Sequence, residues 1–265
     1  MTGRSARETQ PRLWTTLALA GAAAGVAALP AHAADSVALP DTTLWLAQAE
    51  GGEGAEGGEG GEGGAPADAS PNAAILIELG KLEAHILAAE RLYYAGAGAE
   101  AQALASHPEA EFLPELREKL EAKGLPDPTP QVDALIEALG TGEGVEAGVD
   151  LTLSAIREAQ YMSGASARDR YDAIEALVRD AGGEYASAVE GGEVVDLIAL
   201  EETRGFLDAA MALVPQDEVG EKVLGLIQGA RIVFPDNATG GAFTPDASIL
   251  HGAAARIEIA AIKVE

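Results

Sequence analysis

His85 and His107 are the side chains of this 265-residue chain whose type and spacing suit them best to chemistry. There is no cysteine, and of four histidines His32 falls in the N-terminal leader discussed below, leaving His85, His107 and His251. Imidazole holds a metal through one ring nitrogen or moves a proton near neutral pH. His85 sits in Ala84-His85-Ile86-Leu87-Ala88-Ala89-Glu90, a helical pattern. At about 100° per residue the apolar stripe centres on Leu82, Ile86 and Tyr93, which sets His85 roughly 80° to one side, at the edge of the buried face. Glu78 shares its azimuth, but seven residues of helical rise, about 10 Å, is too far for one ion. Further ligands must come from a second helix. His107, in Ala105-Ser106-His107-Pro108-Glu109-Ala110-Glu111, supplies one, and Glu111, four residues on, lies on the same helical face. A His from one helix facing a His and a Glu from an antiparallel neighbour gives an expected metal site at His85, His107 and Glu111, of a kind that suits iron or zinc inside a bundle. Were haem bound instead, the same imidazoles would be its axial ligands. The competing reading makes His107 a helix end before a proline and His85 a residue at the rim of the core. His251, beside Gly252 on the last segment, is less suited.

The elements that must position these residues are helical nearly throughout. Ile75, Leu79, Leu82, Ile86, Ala89 and Tyr93 recur at spacings of three and four, with Asn72 as the expected cap and Gly96 as the stop. A second segment is interrupted by Pro108 and Pro114 and runs to Gly124, where Pro126 prevents continuation. Thr129-Pro130 opens a third helix expected to end at Gly140, and Val145, Val149, Leu153 and Ile156 mark a fourth ending near Gly164. Ser166 or Asp169 begins the next, expected to stop at Gly182-Gly183. After a kinked region at Gly191-Gly192 the pattern resumes to Leu213 and Pro215, and Val219 to Ala230 forms a further helix. Phe234 to Pro245 reads as a surface loop. The final segment reads as helix through Ile249, Ala253, Ile257, Ala260 and Val264, although its ending from Ile257 to Glu265, "IEIAAIKVE", would also suit a strand. The expected fold class is therefore all-α, a bundle of seven or eight helices over residues 72–265.

Ahead of that bundle the chain reads as an export leader and a tether. Arg4, Arg7 and Arg12 precede an apolar run from Leu13 to Leu29, and Ala31-His32-Ala33 has the small-x-small form of a cleavage site, so residues 1–33 are an expected signal peptide. The run is short of the roughly 20 residues a spanning helix needs. Residues 34–71 include Glu50 to Gly64, "EGGEGAEGGEGGEGG", in which glycine entropy and glutamate repulsion favour a flexible acidic tether. Loss of the leader removes three basic residues and one acidic one and takes the formal charge from −26 to −28. Such a charge repels phosphate backbones and anionic lipid and disfavours nucleic-acid and membrane-surface partners. The absence of cysteine excludes disulfides, thiolate metal sites, iron–sulfur clusters and thioether-linked haem. No nucleophile elbow, zinc-protease motif or phosphate loop occurs, and a non-enzymatic role is expected.

One stretch carries a family resemblance. In Tyr185 to Phe206, "YASAVEGGEVVDLIALEETRGF", the residues Tyr185, Ala188, Val189, Gly192, Val194, Val195, Glu202 and Phe206 resemble a periplasmic helical accessory region of bacterial iron permease family proteins, some of them fused to a cytochrome. The resemblance spans about a tenth of the chain. It implies a free-standing exported relative of that region, periplasmic or secreted, which binds, presents or senses iron beside an inner-membrane permease. Arg117-Glu118-Lys119-Leu120-Glu121 also resembles the R-E-x-x-E iron motif of that family, but on a short charged helix it reads as a solvated face with charge pairs. The alternative expectation is a ligand-free structural or interaction domain of the cell envelope.

Overall fold

The computed structural model describes Pro66, residues 69–236 and residues 243–264. The expected signal peptide, nearly all of the acidic tether and the middle of the Phe234–Pro245 loop lie outside these residues. Nine α-helices occur among them: α1 Pro71–Tyr94, α2 Gly98–Glu111, α3 Leu113–Lys123, α4 Thr129–Thr141, α5 Val145–Met162, α6 Ala167–Ala188, α7 Leu197–Leu213, α8 Glu218–Ala230 and α9 Ser248–Ala261. The fold is all-α, as expected. The helix count exceeds seven or eight because the second segment is two helices, α2 and α3, divided at Phe112, whose φ of −142° breaks the helical path.

Local chemistry sets most boundaries. Ser70, not Asn72, caps α1: its hydroxyl accepts from the Ala73 N–H and Pro71 takes the first helical position, where a missing N–H costs nothing. Gly96 follows the C-terminus of α1 with φ +89°, as its sequence position suggests. Ser166 and Asp169 form a reciprocal capping box at the start of α6, so both candidates for that start take part. Pro108 does not interrupt α2. It lies in the last turn, is itself buried, and removes a single backbone donor. Gly140 and Gly182-Gly183 are likewise inside helices. Gly182 has no room for a Cβ, which would lie 2.5 Å from the His251 ring. The stop expected there is therefore a close contact between α6 and α9. Gly191 and Gly192, at φ +61° and +88°, form the two-residue turn of a small antiparallel hairpin, Val189–Glu190 with Glu193–Val194. Both positions need φ above zero in that turn, which glycine supplies without steric cost. The final segment is helix, not strand.

The arrangement is organised by α1. Leu76, Ile77 and Ala84 join one apolar cluster built from α6 to α9, whereas Ile75, Leu79, Leu82, Ile86, Ala89 and Leu92 join another built from α2 to α5. With cores on both sides, even the polar residues of α1 are buried: Glu78, Lys81, Glu83 and His85 are at most 3% exposed. A buried charge must be paired, and each is met by a different helix. Lys119 of α3 donates to Glu78, Asp180 of α6 lies 3.0 Å from Lys81, and Arg157 and Gln160 of α5 donate to the two oxygens of Glu83. His85 is met by α2 and α7.

Candidate metal centre

The α1–α2 turn sets the register of the site. His85 precedes Gly96 by as many residues as His107 follows it, so the two helices run back past each other with these positions level. The imidazole ring centroids lie 6.4 Å apart. Glu111, one turn beyond His107, places Oε2 3.9 Å from His85 Nε2. Of the three expected ligands, His85 and His107 meet in a set of atoms that could share one ion, whereas Glu111 approaches His85 but falls outside that set. His85 itself is fully buried, not at the rim, because α7 closes over the side of α1 that the sequence pattern left open.

A fourth group comes from α7. Glu202 Oε1 stands 3.6 Å from His85 Nε2, and one ligand atom from each of His85, His107 and Glu202 can be chosen with all separations within 4.8 Å. What brings α7 this near is Gly205. A Cβ there would lie 2.3 Å from the carbonyl oxygen of Ala84, the residue before His85, so only glycine permits the two backbones to approach this closely. Glu202 lies one turn back from that crossing. Phe206, a turn after it, and Phe112 at the α2–α3 break set their rings 6.2 and 6.0 Å from the His85 ring. These rings give the site an apolar wall.

The protonation pattern follows from one hydrogen bond. His85 Nδ1 lies 2.9 Å from the carbonyl oxygen of Lys81, one turn back along α1. A carbonyl only accepts, so Nδ1 carries the hydrogen, and in the neutral ring the lone pair is on Nε2, directed at Glu202, Glu111 and His107. This is the arrangement of a metal-ligating imidazole oriented by a backbone carbonyl. Two neutral imidazoles and the Glu202 carboxylate carry a charge of −1, and the neighbouring Glu111 carboxylate brings the surroundings to −2, which suits a divalent cation. Bonds near 2.1 Å place neighbouring ligand atoms about 3.0–3.4 Å apart, so coordination requires the side chains to draw together by about an ångström. His85 and Glu202 form a buried floor, whereas His107 and Glu111 reach the surface and give an ion a way in.

Comparison with protein-family models, curated proteins and solved structures returns no match to this chain.

Sequence reasoning did not select Glu202 as a ligand, yet a signal was present. Ala199, Glu202, Phe206, Ala209 and Leu213 follow one another at spacings of three and four, and all are buried. Glu202 is a carboxylate in a core position of an otherwise apolar stripe. His251 stays apart, packed against Gly182. In the R-E-x-x-E stretch Glu118 and Glu121 are exposed, and Lys119 is committed to Glu78. The resembling stretch Tyr185 to Phe206 is the end of α6, the glycine hairpin and the first half of α7, and its Glu202 and Phe206 are the residues that face His85. No helix among the described residues is long and apolar enough to cross a membrane.

Proposed function

We propose that this chain is an exported metal-binding protein of the periplasm or outer medium that handles iron beside an inner-membrane permease. In this reading His85, His107 and Glu202 hold the ion. The observation that supports it best is the convergence of His85, His107 and Glu202 from three helices, with Glu111 beside His85 and with His85 Nε2 turned toward the carboxylates by the bond from Nδ1 to Lys81. Mixed nitrogen and oxygen ligands on a helical bundle suit ferrous iron and also zinc or manganese. Haem suits the pocket less, because the Phe112, Phe206 and His107 rings all lie within 6.4 Å of the His85 ring and leave no slot for a macrocycle. The role beside a permease rests on the resemblance of Tyr185 to Phe206.

A second reading is favoured by the 3.6 Å separation of His85 and Glu202. A protonated His85 would pair with that carboxylate, and the cluster would then be a buried ion pair of a structural or interaction domain without a ligand. Metal analysis of protein purified from its native compartment, followed by anaerobic titration with Fe(II), Zn(II) and Mn(II), separates the two. One equivalent of metal is expected, with affinity reduced at least about a hundredfold in His85→Ala and Glu202→Gln while helical circular dichroism is retained. Protein that binds none of these ions, Fe(III), Cu(II) or haem would overturn the metal reading and leave the ion pair.

A further inference from the structure

The His85 group has a closed side and an open side, built from different helices. His85 of α1 is 1% exposed and Glu202 of α7 is 6% exposed. The Phe112 and Phe206 rings stand against the imidazole, and α7 is held to α1 by the backbone contact at Gly205. The open side is the last turn of α2, where His107, Glu109, Ala110 and Glu111 are all exposed.

Glu111 stands apart from the other three groups. Its Oε2 lies 3.9 Å from His85 Nε2, yet it falls outside the set in which His85, His107 and Glu202 could share one ion. It is thus close enough to His85 to pass an ion to it, and too far from the other two ligands to complete their coordination sphere. Its position also leaves it room to move. Glu111 is the final residue of α2, the helical path breaks directly after it at Phe112, and Pro108 supplies no N–H to the turn. Its side chain is 32% exposed, so rotation about its own bonds carries the carboxylate between solvent and His85 while the buried ligands stay in place.

We propose that Glu111 is the exchange ligand of this site. It takes a divalent cation from solvent, hands it to His85, His107 and Glu202, and accepts it back on release. Each step exchanges one metal–ligand bond for another, with bound water leaving as protein atoms take its place. The inference rests on the metal reading of the His85 group and adds a direction to it: a carboxylate that shuttles at the mouth suits a site that passes metal on, not one that stores it.

The two roles open to Glu111 have opposite kinetic signatures. An exchange ligand lowers the barrier in both directions without belonging to the final complex, so its loss slows binding and release together. Loss of a resident ligand makes release faster.

Stopped-flow measurement of Zn(II) binding, and of Zn(II) release to excess EDTA, tests this on the full chain. At about 1 M salt the Debye length is about 3 Å, which screens the distant acidic surface but not a direct contact. For Glu111→Gln both rate constants are expected to fall at least about tenfold, the scale of losing one contact to a charged group. Kd is expected to stay within about threefold of wild type, because the remaining change is a screened charge outside the complex. His85→Ala is expected to release Zn(II) faster than wild type. Glu109→Gln is the control: it makes the same charge change in the same turn, but Glu109 faces Arg117 of α3 at 3.9 Å, and both rates are expected to match wild type. Faster release from Glu111→Gln makes Glu111 a resident ligand and overturns the inference. Rates unchanged in Glu111→Gln, or slowed equally in Glu109→Gln, also overturn it, and all three results leave the metal reading standing. Wild type that binds no Zn(II), Fe(II) or Mn(II) removes both.

Discussion

Gly205→Ala tests how α1 and α7 create the His85 group. A Cβ at position 205 would stand 2.3 Å from Ala84 O, whereas real Cβ contacts essentially never fall below 3.0 Å, so the helices must separate by at least 0.7 Å. The obstacle is backbone, which no rotamer change relieves. Overpacking of this kind costs about 1–3 kcal/mol, and a contact with a carbonyl belongs near the upper end. Alanine returns about 1 kcal/mol of helix propensity, for a net loss of roughly 2 kcal/mol. For a domain of this size that lowers Tm by about 4–8 °C. The same displacement draws Glu202 away from His85, so metal affinity falls as well. Thermal and urea unfolding in a chelator measure the first effect, and metal titration the second. Gly183→Ala is the internal control: Gly183 lies exposed inside α6 with nothing within 4 Å of a Cβ, so the propensity gain appears alone and Tm rises. If Gly205→Ala is as stable as Gly183→Ala, the close crossing of α1 and α7 does not exist as described.

Other perturbations follow from the buried charges and the caps. Arg157→Ala strands the fully buried Glu83 carboxylate, leaving only Gln160 on it; breaking a buried pair costs about 3–5 kcal/mol, and the exposed side of Arg157 favours the lower end, measurable by urea unfolding and partly restored by Glu83→Gln. At Tyr171, burial, and then the bond its hydroxyl donates to Asp217 Oδ1 at 2.7 Å together with that carboxylate's charge, push the phenol well above its ordinary range. Its stabilisation is fully present below pH about 10 and lost as pH rises toward the folded value, so wild type should lose stability more steeply than Tyr171→Phe in alkaline unfolding curves. Burial pushes the Asp169 carboxyl up, but hydrogen bonds from Ser70 and Ser166 and the charge of Lys123 hold it below its ordinary value on balance. That contribution is present above pH about 4 and lost as pH falls through the lowered folded value, so the stability gap between wild type and Asp169→Asn should narrow between pH 5 and pH 2.

Helix positions were legible in the sequence because apolar residues at three- and four-residue spacing report a buried face directly. Their ends were less so. Gly140 and Gly182 have the residue type of a helix stop, but each lies where a neighbouring side chain, Gln102 or His251, presses on the backbone. Glycine for close approach and glycine for termination look alike in one dimension. The meeting of His85, His107 and Glu111 was readable because it depends on one short turn between adjacent helices. Glu202 was not, since it arrives from a helix more than a hundred residues along the chain, through a crossing that no local pattern encodes. For the same reason the full burial of His85 was missed: a stripe calculation assumes one wet side, and α1 has none among its middle turns.

The two-sided burial of α1 also bears on how the chain is built. In chain order α1 is made before the other eight described helices, and α2 to α5 can close against one flank by residue 162. The opposite flank, with Leu76, Ile77 and Ala84, then stays wet until α6 to α9 follow. A nascent chain halted midway is therefore a half-roofed intermediate with an open apolar wall, and chaperone capture at that stage would cover the very surface that the second half is destined to occupy.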